Sequence, residues 1–296
     1  MTIPGKDFPA DQAQAKAPGL AVPGDEEKEF DDLRLLLDTV HQRSGLDFRE
    51  YAFSSLRRRV ARAVRETGTE NVSGLHLRLK SDGQALDYLI RQLTVHTTAM
   101  FRDPGFFRVL REQVVPVLKT YPFVRLWVAG CSTGEEVYSL SILLHEEGIA
   151  ERCRIYATDL SENVLERARA GVFPLAAMQE YSRNYQLAGG RVPFSDYFTA
   201  DTESVIFRRH LRDNVVFGTH NLVSDASFNE FHLILCRNVM IYFQRELQER
   251  VHALFHDSLV TFGFLGLGRS EAVRFTAYRD CYDTIDAKER VFRKIK

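Results

Sequence analysis

The sequence predicts a doubly wound α/β fold preceded by a small all-helical module. Two observations carry that prediction. From about residue 124 onward, short apolar runs bounded by Pro or Gly alternate with segments of helical periodicity, the pattern of parallel strands joined by crossover helices. Between residues 27 and 100 the apolar spacing is helical.

Residues 1–26 are rich in Pro, Gly, Ala, Asp and Gln and lack apolar periodicity, so a disordered leader is expected there. A helical domain is expected over 27–100. Phe30, Leu33, Leu37 and Val40 recur at helical spacing, with Gly45 as the stop. A second helix is expected from Phe48 to Thr67, closed by Gly68, and shorter ones over Val72–Leu79 and Gln84–Leu93. The α/β domain is expected over 101–296. After Pro104 a helix (Phe106–Lys119) leads to the apolar run Val124–Ala129, which reads as a buried parallel strand. Helix Glu135–Glu147, strand Arg154–Thr158 and helix Ser161–Ala170 follow. Further strands are expected at Val215–Thr219, His232–Cys236 and Phe264–Leu267, with helix Gln244–Leu259 between the last two and a closing strand at Arg290–Ile295. Residues 172–213 break the rhythm. Their short alternating stretches, Tyr197–Thr199 and Ser204–Phe207, predict a small inserted antiparallel β-subdomain.

The bulk numbers exclude several classes. With 45% hydrophobic residues the chain can bury a large core, and a net charge of −1 gives no global attraction to nucleic acid or membrane. The four cysteines, Cys131, Cys153, Cys236 and Cys281, form no C-x-x-C pair. They read as reduced thiols, without a metal site or disulfide framework. No apolar run reaches the ~18 residues of a membrane span. A cytoplasmic monomer, not inserted in a membrane, is expected.

The strongest local signal is Gly130-Cys131-Ser132-Thr133-Gly134-Glu135-Glu136, directly after the first strand and opening a helix. Glycines there allow a tight turn and close approach of backbone to a ligand. The spacing is neither G-x-G-x-x-G nor a P-loop, since no lysine follows Gly134. A loop with two glutamates suits a ligand bearing positive charge and hydroxyls, and S-adenosylmethionine fits that description. The competing reading of Glu136 is a capping box with Thr133, three residues earlier. Asp159 ends the second strand, the standard place for an acid that binds ribose hydroxyls. It could instead cap the next helix, although Ser161 is available for that. Asn221 and the Arg237-Asn238 pair each follow an apolar run, again where open sheets bind ligands. For Arg237 the alternative is an internal ion pair, and for Tyr242 it is simple packing.

Together these stretches resemble the CheR-type chemoreceptor glutamate O-methyltransferases. The match runs through Thr98-Ala99-Met100-Phe101-Arg102-Asp103, the Gly130–Glu136 loop with Tyr138 and Ser139, and Ala157–Ser161. It continues through Asn221-Leu222, Cys236-Arg237-Asn238-Val239-Met240-Ile241-Tyr242-Phe243 and Gly268-Arg269-Ser270-Glu271. The resemblance implies a Rossmann-like S-adenosylmethionine-dependent methyltransferase domain with an inserted β-subdomain, after an all-α N-terminal domain. It implies cofactor contacts at Thr98, Arg102, Glu136, Asp159, Asn221, Leu222, Arg237 and Asn238. His96 stands where the family has Asn, and a neutral imidazole can still hydrogen-bond there. Two other departures are Phe231-His232 and Phe262-Gly263, where a Phe-Asp pair and a Gly-Gly turn are usual.

The reaction so implied is methyl transfer to glutamate side chains of chemoreceptors, releasing S-adenosylhomocysteine. It needs no general base, because a carboxylate with a pKa near ~4.3 is already ionised at neutral pH. Arg102 and Tyr242 are the expected positioning groups. Arg57, Arg58, Arg59, Arg62 and Arg65 cluster on one face of the second helix, opposite Leu56, Val60 and Ala63. Such a face is either simply solvated or a dock for the glutamate-rich helical bundle of a receptor. Docking is expected through Arg57, Arg58, Arg62 and Arg65. Two rival functions share the fold: a non-catalytic cofactor-binding scaffold, and a nucleic-acid methyltransferase. No Asn/Asp-Pro-Pro-aromatic motif supports the latter, so no nucleic-acid partner is expected.

Overall fold

The computed structural model describes residues 23–94 and 97–296. Residues 1–22 of the leader expected over 1–26, and the cofactor contact expected at His96, lie outside the described residues. Four helices come first: α1 (Pro23–Ser44), α2 (Phe53–Thr67), α3 (Val72–Leu79) and α4 (Gly83–Leu93). Helix α1 starts four residues before the expected start of the helical domain at residue 27. Pro23 is its first residue, where the missing N–H costs no hydrogen bond. The four helices enclose their own core, including Leu36, Val40, Leu56, Val60, Leu75, Leu89 and Leu93.

Helix α2 begins at Phe53, not at Phe48. The Asp47 carboxylate accepts the Arg49 N–H at 3.0 Å and binds its guanidinium, which favours a turn over a helix. The chain then runs extended, and Tyr51 bridges antiparallel to Phe243. That bridge joins the helical module to the rest of the molecule.

Next comes a helix in three parts: α5 (Pro104–Val109), a π-helical turn at Leu110–Val114, and α6 (Val115–Leu118). A single regular helix was expected here. Pro116 cannot donate to the residue four before it and its ring crowds that carbonyl, so the preceding turn widens. The α/β part then runs β1 (Val124–Ala129), α7 (Glu135–Glu146), β2 (Cys153–Asp159) and α8 (Glu162–Ala170). An insertion follows: β3 (Val172–Pro174), α9 (Met178–Leu187), β4 (Phe198–Ala200) and β5 (Ser204–Phe207). The chain closes with β6 (Val215–Thr219), β7 (Phe231–Cys236), α10 (Arg245–Ser258), β8 (Leu259–Leu267), β9 (Tyr282–Asp286) and β10 (Val291–Lys294).

The main sheet has the order β6-β2-β1-β7-β8-β10-β9. Its first five strands are parallel, and β10 is antiparallel to both of its neighbours. From β1 the chain crosses to β2 on one side, while β7 lies on the other. The carboxyl ends of β1 and β7 therefore flank a topological switch point, where open α/β sheets bind ligands. One face of the sheet is covered by a core including Leu126, Val128, Val137, Leu140 and Leu235. The other holds Trp127, Ile234, Leu247, Val251 and Phe255.

The inserted sheet, β3-β5-β4, is antiparallel as expected, but α9 within it was not foreseen. Only Met178, Tyr181 and Tyr185 of that helix are buried, so its sequence looks polar. The tip after α9 fits under the Tyr185 ring, where a methyl group at Gly190 would lie 2.2 Å from Cζ. A buried carboxylate fastens the insertion to α7. Glu146 accepts from Tyr185, from Tyr197 at 3.0 Å and from the Arg191 N–H at 2.9 Å, and it pairs with Arg111.

Burial alone would raise the Glu146 carboxyl, but Tyr185, the Arg191 N–H and Arg111 outweigh it and hold the group below its ordinary value of 4.5. A depressed folded-state pKa gives stability that is present above 4.5 and lost as pH falls through the lower folded value. Glu146→Ala, which leaves the buried Arg111 with Glu147 as its carboxylate partner and takes the shared acceptor from Tyr185, Tyr197 and the Arg191 N–H, should cost about 3–5 kcal/mol in urea unfolding. The variant should also expose 189–192 to proteolysis, and its stability should fall less steeply between pH 5 and pH 3 than wild type. A wild-type-like acid slope in the variant would contradict this role.

Candidate active site

The loop after β1 is built for close approach. Gly130, Ser132 and Gly134 have φ of 70°, 51° and 95°, conformations that favour glycine. A methyl group at Gly130 would lie 2.5 Å from Val239 Cγ2, and one at Gly134 would lie 2.9 Å from Ala168 Cβ. The loop is fixed by the Cys131 N–H on the Thr158 carbonyl at 2.9 Å and by the Ser132 N–H on Asp159 Oδ2 at 2.9 Å. Asp159 Oδ1 also accepts the Ser161 N–H at 3.1 Å. Ser161 stands at the N-cap of α8, but its side chain makes no capping bond there.

Above this loop opens a cleft containing about 990 Å³ of space continuous with solvent. Thr98, Arg102, Glu136, Asp159, Asn221, Leu222, Arg237 and Asn238 all border it, as does Tyr242. The sequence thus named side chains from five separate segments that the fold brings to one place. It did not single out Tyr51, Leu93 and Thr94, which form a wall supplied by the helical module, nor His220.

Three local expectations change. The capping box does not form: Thr133 Oγ1 donates to Glu135 Oε2 at 2.6 Å, and Glu136 is held elsewhere. Glu135 also turns away from the cleft. Burial raises its pKa, and Tyr181 of α9 reaches it at 3.5 Å. Only one of the loop's two glutamates therefore faces the ligand space. Third, Arg59 leaves the arginine face of α2. It is buried, with its guanidinium carbon 4.4 Å from the centroid of the Tyr242 ring.

For Arg237 the ion-pair alternative is what the fold contains. Its side chain is 2% exposed and sits between Glu136 at 2.7 Å and Asp103 at 2.9 Å. It also lies over the Phe106 ring at 4.1 Å. Asp103 in turn pairs with Arg269 at 3.4 Å, and Arg269 with Glu289 at 2.7 Å. The network runs along the carboxyl edge of the sheet. Arg102 also borders the cleft but forms no ion pair among the described residues. Its Nη1 donates to the Thr97 carbonyl at 3.0 Å.

A residue quoted only as part of a motif proves central to the backbone. The Glu271 carboxylate is buried and accepts four N–H groups: Asn238 at 3.0 Å, Val239 at 3.0 Å, Met240 at 2.8 Å and Gly268 at 2.6 Å. Burial raises its pKa against the pull of those four donors. The clamp holds Asn238 in its left-handed conformation, φ 61°. The thiols of Cys131 and Cys236, at the strand ends, are free and buried. Burial, and for Cys131 the nearby Asp159, pushes Cys131 and Cys236 well above the ordinary thiol range. No metal-binding cluster of His, Cys, Asp or Glu occurs among the described residues.

A parallel sheet with a glycine loop after β1 and acids at the tips of β1 and β2 defines a Rossmann-like cofactor-binding enzyme. Comparison with known families makes that specific. Residues 96–290 match the family "CheR methyltransferase, SAM binding domain", and residues 31–94 match "CheR methyltransferase, all-alpha domain". The chain belongs to the CheR methyltransferase family, and S-adenosylmethionine is its cofactor. Among its relatives, Cher3 of Pseudomonas putida is 45% identical over 89% of this chain and 96% of its own length. The chemotaxis protein methyltransferase of Listeria innocua is 32% identical over 77% of this chain and 85% of its own. That of Salmonella typhimurium is 30% identical over 80% of this chain and 82% of its own.

The residues present fit that cofactor: Asp159 is a buried acid at the tip of β2, Glu136 brings a second carboxylate to the cleft, and at Gly130 and Gly134 the loop has no room for a side chain. Removing the Glu271 clamp should loosen the cleft floor. Glu271→Ala leaves several backbone N–H groups unmatched and should lower stability by at least about 3 kcal/mol in denaturant. Binding of S-adenosylhomocysteine should weaken about tenfold or more. Glu271→Gln, which keeps one acceptor oxygen, should fall between. Equal affinity in all three proteins would remove Glu271 from the site.

Proposed function

We propose that the chain methylates glutamate side-chain carboxylates of bacterial chemoreceptors, forming methyl esters. The observation that carries this reading is the charge arrangement of the cleft. Arg237 is neutralised by Glu136 and Asp103, whereas Arg102 borders the same cleft without an ion pair among the described residues. A planar guanidinium at the mouth suits an incoming carboxylate. The relatives in Listeria and Salmonella are named chemotaxis protein methyltransferases, which supports methyl transfer in chemotaxis.

In this reading the cofactor supplies an electrophilic methyl group, and the protein supplies position. Asp159 takes the ribose hydroxyls, while Thr98, Asn221, Leu222 and Asn238 line the rest of the cofactor. Arg237 acts by holding Glu136, whose free oxygen faces the cofactor's positive charge. Arg102 aligns the acceptor carboxylate and Tyr242 borders its path. No side chain has to remove a proton, because the acceptor is ionised at neutral pH. Orientation alone can supply an effective molarity of ~10⁵ M or more.

The acceptor helix docks on α2. Arg57, Arg58, Arg62 and Arg65 are all exposed, but the face is not single-signed: Arg57 pairs with Glu29 at 2.7 Å and Arg62 with Glu66 at 2.9 Å. Arg58 and Arg65 form no ion pair among the described residues and carry most of the attraction for an acidic helix. No described helix is long and apolar enough to cross a membrane. The enzyme acts as a cytoplasmic monomer on the receptors' cytoplasmic bundles.

Labelled methyl should pass from the cofactor to receptor-containing membranes and leave as methanol in base. Label that survives base would rule out an ester. Arg58→Glu with Arg65→Glu should raise the receptor KM about tenfold with unchanged cofactor affinity; loss of cofactor binding would refute docking on α2. Arg102→Lys should lower kcat about tenfold or more, and full activity would remove Arg102 from acceptor alignment.

A further inference from the structure

Helix α2 has two faces with different work, and the buried one points at Tyr242. The N-cap residue Ala52 donates its N–H to the Tyr242 carbonyl at 2.8 Å. Seven residues later, about two helical turns, Arg59 places its guanidinium over the Tyr242 ring at 4.4 Å. Arg59 Nη1 also donates to the Leu93 carbonyl, the last residue of α4 and itself part of the cleft wall. The adjoining chain is zipped to the same place. Gln244 donates its N–H to the Glu50 carbonyl at 2.9 Å, and the Tyr51 and Phe243 rings meet at 5.0 Å.

Arg59 is 7% exposed and forms no ion pair among the described residues. A buried arginine without a carboxylate is costly for stability alone. Its contacts are instead the π face of one cleft residue and the backbone carbonyl of another. Its sequence neighbours Arg57 and Arg58 are exposed on the outer face of α2.

We infer that Arg59 is a positioning residue: it fixes the Tyr242 ring and the Leu93 carbonyl relative to α2, so the placement of the docking helix sets the acceptor side of the cleft. This rests on the reading of α2 as the docking element and Tyr242 as a wall of the acceptor path. A partner seated on Arg58 and Arg65 pushes on a rigid helix that grips Tyr242 at two points. Arg59 touches neither the cofactor nor the acceptor.

The test is a double-mutant cycle on the full chain, using S-adenosylmethionine and receptor membranes. Arg59→Met should lower kcat about tenfold, with the S-adenosylhomocysteine Kd within about twofold of wild type. Arg59→Lys should recover part of that loss through its retained charge. In a Tyr242→Leu background, which lacks the ring, Arg59→Met should cost less than threefold further. A merely structural arginine would give the same loss in both backgrounds, and that result would overturn the proposal. Hydrogen exchange gives a readout independent of turnover. Peptides covering Val239–Phe243 should exchange faster in Arg59→Met than in Arg59→Lys at matched global stability, and identical exchange would also overturn it. If wild type made no base-labile ester, the docking reading would fail, while the exchange experiment would still decide whether Arg59 orders Tyr242.

Discussion

The geometry of the cleft depends on one buried cation. Arg237 leaves the end of β7 and is almost wholly enclosed, a position that is tolerable only with opposite charge close by. Glu136 from the start of α7 and Asp103 from the start of α5 supply it, at 2.7 Å and 2.9 Å. Three segments distant in sequence are thereby drawn to one point, with the Phe106 ring packed against the guanidinium. Asp103 passes the connection to Arg269 and Glu289, so the edge of the sheet is laced from α7 to the β9–β10 turn. The same arrangement determines which charges stay available. With the charge of Arg237 paired to two carboxylates, Arg102 is, among the described residues, the arginine that borders the cleft without an ion pair.

A second clamp acts on backbone. Glu271 gathers N–H groups from the loops after β7 and β8, replacing the partners that regular structure would have given them. The left-handed Asn238 is held by that carboxylate, not by helix or strand. The Rossmann-like sheet thus provides the position of the cleft, and two buried charged side chains provide its shape. The helical module adds the remaining wall through Tyr51, Leu93 and Thr94.

Much of this was legible in the sequence, because strand tips in a parallel sheet follow from short apolar runs and what comes after them. Gly130, Glu136, Asp159, Asn221 and Arg237-Asn238 lie at or just beyond the ends of such runs, and each borders the cleft. Local rules failed where tertiary contacts decide. Helix α9 buries three residues and hides behind polar ones. Strand β9 is an edge strand with only Tyr282 buried, so it shows no alternation. The segment 48–52 looks helical until Phe243 is there to pair with Tyr51. Arg59 cannot be told from Arg58 by composition, since its direction depends on Tyr242 more than 180 positions away. Glu271 was visible only as part of a motif; four converging N–H groups have no sequence signature.

The central claim is that the donor lies over the tips of β1 and β2 with Asp159 on its ribose. Calorimetric titration with S-adenosylhomocysteine of wild type and Asp159→Asn tests this most directly. One molecule should bind per chain, and the substitution should weaken binding by about 10- to 100-fold, as expected for losing hydrogen bonds to a charged acceptor. Absence of binding heat in the wild type, or an unchanged Kd in Asp159→Asn, would contradict the account.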